Sequence, residues 1–326
     1  MSVRLPIELA DIEIAAQRLA THIVTTPLLE FAALNERCGG RVLIKPEILQ
    51  HTGSFKFRGA YNKLVSLSHE ERARGVLAVS SGNHAQGVAL AARLLDVKAT
   101  VVMPEDAPPL KIRRTREFGA DIVFYDRLRD DREKLAAELA QQTAAVLVNP
   151  FDDPFIMAGQ GTLGLEIVEQ SRALNVQPSM AFVPCGGGGL IAGVSTALCA
   201  LIPGIKVHAV EPEGFDDTAR SLAGGRRVTN RVNAGSICDS LLAPTPGELT
   251  FAIMRRRLAR TIVVSDDEVR CAMRWAFENL KLVVEPGGIV GLAALLAGKA
   301  DLNAGCAVIV LSGGNADPAQ FAAILN

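Results

Sequence analysis

Short apolar runs alternate with longer amphipathic stretches along most of this chain. The runs are RVLIK (41–45), VLAVS (76–80), ATVVM (99–103), DIVF (121–124), AVLV (145–148), AFVP (181–184), KVHAV (206–210), TIVV (261–264) and AVIVL (307–311). Most are near-continuous Val, Ile, Leu and Ala, the pattern of strands buried on both faces. Between them, 83–95, 128–142, 158–171, 189–202, 266–281 and 288–298 carry helical spacing. The alternation predicts an α/β protein of mostly parallel sheets covered by helices. Nine such strands suit two sheets better than one, so two lobes are expected: one of residues 73–152, the other of 1–72 and 153–326. No repeat, low-complexity tract or long linker interrupts the pattern.

Composition narrows the function classes. The 326 residues are enough for a large core, and 49% are hydrophobic against 21% charged, with a net charge of −1. That balance gives no footing for nucleic acid or an anionic membrane, and 5% aromatics leave little for stacking bases. The N-terminus carries acids early and has no apolar signal core, and no run approaches the ~20 residues that span a bilayer. Cysteines at 38, 185, 199, 238, 271 and 306 form no C-x-x-C and no zinc spacing. They read as free thiols of a cytoplasmic protein, Cys185 among them as a small buried residue.

In open α/β sheets ligands gather beyond the carboxyl ends of the strands. Four loops there are unusual. SSGNHAQG (80–87) leads small polar residues into a helix, where Ser81, Gly82, Asn83 and His84 offer N–H groups to an anion such as a carboxylate, or simply cap the helix. PCGGGGLIAG (184–193) has four consecutive glycines, which cost entropy and suit a backbone wrapped around a phosphate. The same loop matches G-x-G-x-x-A at Gly187, Gly189 and Ala192, with Glu211 one strand on, so a dinucleotide site is the rival. EPEGFDD (211–217) places Glu211 and Asp217 around a turn, as oxygen ligands for Mg²⁺ or Ca²⁺ or as a solvated acidic turn. LSGGNAD (311–317) sets Ser312 at a strand end, and EPGGIVGLAAL (285–295) is a further small-residue helix start that can line the same site. Upstream, GSFKFRGAYNK (53–63) holds Lys56 between Phe55 and Phe57, with Ser54 expected to cap the helix. Lys56 is either a lysine whose stem crosses an apolar face or a desolvated amine ready to form a Schiff base.

SFKFRGAYN, SSGNHAQG, PCGGGGL and LSGGN, in this order, resemble the fold type II pyridoxal-phosphate enzymes, in the branch of threonine/serine dehydratases and serine racemase. The resemblance runs from about residue 20 to the end. It implies a two-lobed fold with the cofactor between lobes, 1–72 and 153–326 binding the cofactor and 73–152 closing on the substrate. It implies Lys56 as the lysine that holds pyridoxal 5′-phosphate and removes the substrate's α-proton. Phe55 would pack on the ring, Asn83 would bond its phenolic oxygen, Gly186, Gly187, Gly188 and Gly189 its phosphate, and Ser312 its ring nitrogen. Ser81, Gly82 and His84 would receive the substrate carboxylate, and Ser81 would exchange a proton on the opposite face if the protein also racemises. Glu211, the Phe215 carbonyl and Asp217 would hold Mg²⁺ or Ca²⁺, although Phe215 replaces a smaller residue. The expected reaction is β-elimination from a 3-hydroxy amino acid, L-threonine or L-serine first, to a 2-oxo acid and ammonia. SICDSLLAPTPGELTFAI (236–253) looks more like dehydratases of hydroxyectoine utilisation, which stands as the alternative beside serine racemase. The resemblance further implies a homodimer or homotetramer and, with nothing long after LSGGN, no isoleucine-responsive effector domain.

Overall fold

The computed structural model describes residues 4–107, 109–126, 129–231, 235–303 and 305–326. Among them the nine apolar runs become nine of ten strands, which form two sheets. The larger sheet contains β1 (Leu29–Glu30), β2 (Arg41–Pro46), β7 (Met180–Pro184), β8 (Lys206–Pro212), β9 (Leu258–Val264) and β10 (Cys306–Leu311), in the order β1-β2-β10-β7-β8-β9. The smaller contains β3 (Val76–Val79), β4 (Ala99–Pro104), β5 (Asp121–Tyr125) and β6 (Val146–Leu147), in the order β5-β4-β3-β6. All neighbours are parallel except β1, which runs antiparallel to β2. Every residue of β10 is buried, as a central strand covered on both faces requires.

Local departures from the expected elements have physical reasons. β1 is two residues long and carries no period to read. The helix expected from 158 begins at Pro154, because Asp153 caps it and proline suits a first turn. The stretch expected as one helix over 266–281 changes to a π-turn at Ala276–Leu280. Ser54 does not cap the lysine helix, Lys56–Ser66, whose first flanking residue is Phe55. Ser54 is extended and bridges Gly313, while the Phe55 N–H donates to the Ser312 carbonyl at 3.1 Å. The lysine motif is therefore pinned to the end of β10.

The lysine helix is also clamped from two sides. A Cβ on Gly159 would lie 2.7 Å from the Arg58 carbonyl, so the helix Pro154–Ala173 can cross here only with glycine. Beneath its first turn sits a buried ionic cluster. Arg58 donates Nε to Glu47 at 2.7 Å and Nη1 to Glu166 at 2.6 Å, and Lys45 donates Nζ to Glu166 at 2.6 Å. Burial works against the charge on Glu47, but the charge and hydrogen bonds of Arg58 outweigh it and hold the carboxyl below its ordinary pKa. Two cations and two anions cancel, so the cluster is tolerable dry only if complete. Arg58→Ala should therefore cost about 3–5 kcal/mol in urea unfolding, because it leaves the buried Glu47 without a cation and Glu166 with Lys45 alone. A loss below about 1 kcal/mol would show that the cluster does not hold the helix.

Candidate active site

Lys56, Phe55, Ser81, Gly82, Asn83, His84, Gly186, Gly187, Gly188, Gly189 and Ser312 all line one cavity of about 430 Å³. Their loops follow β3, β7 and β10, joined by the first turn of the lysine helix. Parallel strands deliver their carboxyl ends to one place, which is why loops so distant in sequence meet.

Lys56 is the electrostatic centre. Its Nζ donates to the Pro150 carbonyl at 2.7 Å and lies 5.3 Å from the centroid of the Phe55 ring. Burial brings its pKa down to about 8, only partly offset by the charge of Glu285. The snorkelling alternative fails, because the ammonium end points into the cavity. His84 is buried and its pKa falls to about 3, first through burial and then through Lys56. Its Nε2 lies 2.9 Å from the Val148 carbonyl, an acceptor only, so the ring is neutral with the hydrogen on Nε2. His84 therefore brings no positive charge to a carboxylate; what it offers is backbone. The helix Asn83–Leu94 has no side-chain cap, and its flanking residue Gly82 has φ −137°. The plain capping reading of SSGNH thus fails: the first residues of this helix line the cavity and no side chain caps them.

The glycine loop has a double reason. Gly188 has φ +94° and flanks the uncapped helix Gly189–Leu201. A Cβ on Gly187 would lie 2.4 Å from the Phe151 ring, and one on Gly186 would lie 3.1 Å from Leu241 Cα. The run is required by packing as well as by any anion. Thr250 Oγ1 and the Gly247 N–H both donate to the Gly187 carbonyl, at 2.7 and 3.2 Å, which fixes that peptide in the loop.

Glu211, Phe215 and Asp217 lie outside this cavity. Glu211 is fully buried, and its two oxygens accept from the Thr218 and Ala219 N–H groups at 2.9 Å each. Burial overturns the solvated-turn reading, and Glu211's position outside the cavity removes the ribose-binding acid that the dinucleotide reading needs. Burial, then Asp217, raises its pKa to about 8. Burial raises Asp217 to about 6; Oδ1 accepts from Asn230 and Oδ2 is buried without a partner. No group of three or more His, Cys, Asp or Glu side chains converges on a metal position among the described residues.

The EPGG and SICDSLLAP stretches line the cavity as the sequence led one to expect, but the individual groups they bring, and Lys111, carry no local signal. Glu285 hydrogen-bonds Asn83 at 2.5 Å, and burial, then Asp239, raises its pKa to about 7. Lys111 and Asp239 form an ion pair on the wall. Residues 239–244 of the SICDSLLAP stretch also line it.

A half-buried amine beside two helix starts that no side chain caps has the chemistry an anionic carbonyl cofactor needs. Residues 19–313 match the family described as pyridoxal-phosphate dependent enzyme, and the chain belongs to that family. It is 41% identical to an L-threo-3-hydroxyaspartate ammonia-lyase of Saccharomyces cerevisiae, over 97% of this chain and 95% of that one. It is 42% identical to an L-threonine ammonia-lyase of Thermotoga maritima, over 98% and 78%. Among solved structures it superimposes on maize serine racemase with a TM-score of 0.92 at 35% identity, covering 98% and 96%. The two sheets are those of the fold type II enzymes. No helix among the described residues is long and apolar enough to cross a membrane.

In the cofactor-free protein, Lys56 should acylate with a midpoint near pH 8, because the amine is protonated below its pKa and nucleophilic above it. Reagent labelling followed by peptide mass mapping reads this. A midpoint near the ~10.4 of an ordinary lysine would show that the amine is not desolvated.

Proposed function

We propose that this chain is an ammonia-lyase converting a 3-hydroxy amino acid, L-threonine or L-serine first, to a 2-oxo acid and ammonia. The observation that carries the reading is the half-buried Lys56 amine set between the glycine loop and the uncapped helix Asn83–Leu94 in one cavity. Pyridoxal phosphate, when bound, supplies an electron sink for a bond broken at the substrate Cα. The chain's residues do the rest. N–H groups of Gly186, Gly187, Gly188 and Gly189 hold the phosphate, Phe55 packs on the ring, and Asn83 donates to its phenolic oxygen. Ser312, a neutral hydroxyl, meets the ring nitrogen and does not enforce its protonation as a carboxylate would. N–H groups around Ser81, Gly82 and His84 receive the substrate carboxylate. Lys56 Nζ would hold the cofactor and, as a free amine beside the substrate, would take the α-proton. The β-hydroxyl leaves as water, and the released enamine hydrolyses to the 2-oxo acid and ammonia. Ser81 stands as the hydroxyl for a side racemisation. Residues 1–72 and 153–326 form the cofactor lobe and 73–152 the closing lobe, a division supported by which strands enter each sheet. Assembly as a homodimer or homotetramer is part of the same reading.

Lys111 favours a second substrate. Its Nζ lies 4.0 Å from where a Cβ of Gly82 would stand, so a cation sits beside the carboxylate loop. An acidic β-substituent, as in the substrate named for the yeast relative, would find that cation if it displaced Asp239. The hydroxyectoine-type alternative rests on the wall formed by residues 239–244.

A panel of threonine, serine, 3-hydroxyaspartate and hydroxyectoine-derived amino acids, assayed for 2-oxo acid and ammonia, separates these readings. Threonine and serine should turn over within about 100-fold of each other, because a methyl group discriminates weakly. Lys56→Ala should abolish both activities. Inert threonine and serine beside a reactive acidic substrate would transfer the assignment to the second reading. Retained cofactor with no turnover of any amino acid would leave a binding module.

Glu211 and Asp217 with the Phe215 carbonyl are proposed to hold Mg²⁺ or Ca²⁺; the unpartnered Asp217 Oδ2 supports this. Both folded-state pKa values are raised, so the protonated forms favour folding. That stability is complete below the unfolded carboxyl pKa values, about 4, and is lost as pH rises through about 6 and about 8. After chelation the melting temperature should therefore fall over this range, and added Mg²⁺ or Ca²⁺ should restore it except in Asp217→Asn. Equal responses of both proteins would mean that Glu211 only caps its helix.

A further inference from the structure

The Asn83 amide has two neighbours that dictate which way round it lies. Asn83 Nδ2 donates to Glu285 Oε1 at 2.5 Å, and Asn83 Oδ1 accepts from Asn315 Nδ2 at 2.8 Å. The orientation of Asn315 is fixed in turn. Its Nδ2 donates to the Thr52 carbonyl at 2.7 Å, and its Oδ1 accepts from Arg114 Nη1 at 2.8 Å. A carbonyl can only accept and a guanidinium can only donate. Asn315 therefore cannot be turned over without losing both bonds. With Asn315 fixed as the donor, Asn83 must place its oxygen toward Asn315 and its nitrogen toward Glu285. One Asn83 N–H then remains, and both Asn83 and Glu285 line the cavity.

Resting on the function proposed above, we infer that Glu285 and Asn315 are positioning residues, which lock Asn83 so that its remaining N–H donates to an anionic oxygen of the bound cofactor. Neither touches that oxygen; both act through Asn83. The relay joins segments that belong to the two sheets. Arg114 lies on the helix Pro109–Glu117 between β4 and β5, Asn83 follows β3, and Glu285 and Asn315 flank β10 in sequence. Without the relay, Asn83 could present its carbonyl to the same oxygen, turning one attraction into a repulsion between two acceptors. An exposed asparagine would correct this by flipping. A buried one has only the partners around it, and leaving a polar group unpaired costs about 1–3 kcal/mol.

Isosteric variants test this. Asn315→Asp removes the N–H groups and leaves the shape, and Glu285→Gln gives Asn83 a partner that can donate as well as accept. Pyridoxal phosphate retention is measured by dialysis, and the pH midpoint of the visible band is titrated. Each variant should lose about tenfold in retention, the equivalent of about 1.4 kcal/mol, and should shift the midpoint. In an Asn83→Ala background neither substitution should lower retention further; that comparison is made on retention alone, because the Glu285 charge also acts on Lys56 and can move the midpoint by itself. A tenfold effect of Glu285→Gln that persists in Asn83→Ala would overturn the inference, because Glu285 would then act directly. Wild-type retention and midpoint in both variants would overturn it too. Should Glu285→Gln not fold, Asn315→Asp decides by the same criteria. A wild-type protein with no visible band would sink the proposed function and this relay together, whereas a normal band with unchanged variants sinks the relay alone.

Discussion

Everything in this site depends on holding one lysine amine out of water without giving it a counter-ion. The chain contains a direct contrast. Lys45 is fully buried and Lys56 half-buried, but Lys45 has Glu166, Gln170 and the Thr26 carbonyl as partners. Lys56 has a backbone carbonyl and the face of Phe55. A carboxylate would hold the amine charged and unreactive; a carbonyl orients it while leaving its charge poorly supported. The ionic cluster under Arg58 makes this tenable, since it anchors the same helix turn with charges that cancel among themselves.

Much of the fold was legible because buried parallel strands announce themselves as unbroken apolar runs. The cavity was legible for a different reason. SSGNH, CGGGG and LSGGN each break an apolar run with residues that pack poorly, and each sits where a parallel strand ends. Reading the glycines purely as room for a ligand was incomplete, since Phe151 presses on Gly187 from 36 residues away. No local pattern could show that approach.

The rest was hidden by sequence separation. Glu285 lies in a stretch expected to line the site, yet nothing in EPGG says that its carboxylate meets Asn83, 202 residues earlier. Asn315 belongs to the LSGGN motif, but its role depends on Arg114, whose surroundings read as an ordinary basic helix. Glu211 looked like a surface acid because its loop is acidic. Its burial follows from the position of β8 between β7 and β9, a fact of topology that composition does not carry.

The short segment leaving β6 is used four times within four residues. Pro150 supplies the carbonyl for Lys56, Phe151 fills the space behind the glycine loop, Asp152 accepts from the N–H groups of Glu248, Leu249 and Thr250, and Asp153 caps the helix beginning at Pro154. Each contact fixes the register of its residue, so no insertion or deletion here can be absorbed locally. Over evolutionary time the length of this connection should be far more constant than its solvent-facing composition. Homologous chains that drift in sequence elsewhere would keep the same number of residues between β6 and the helix that follows.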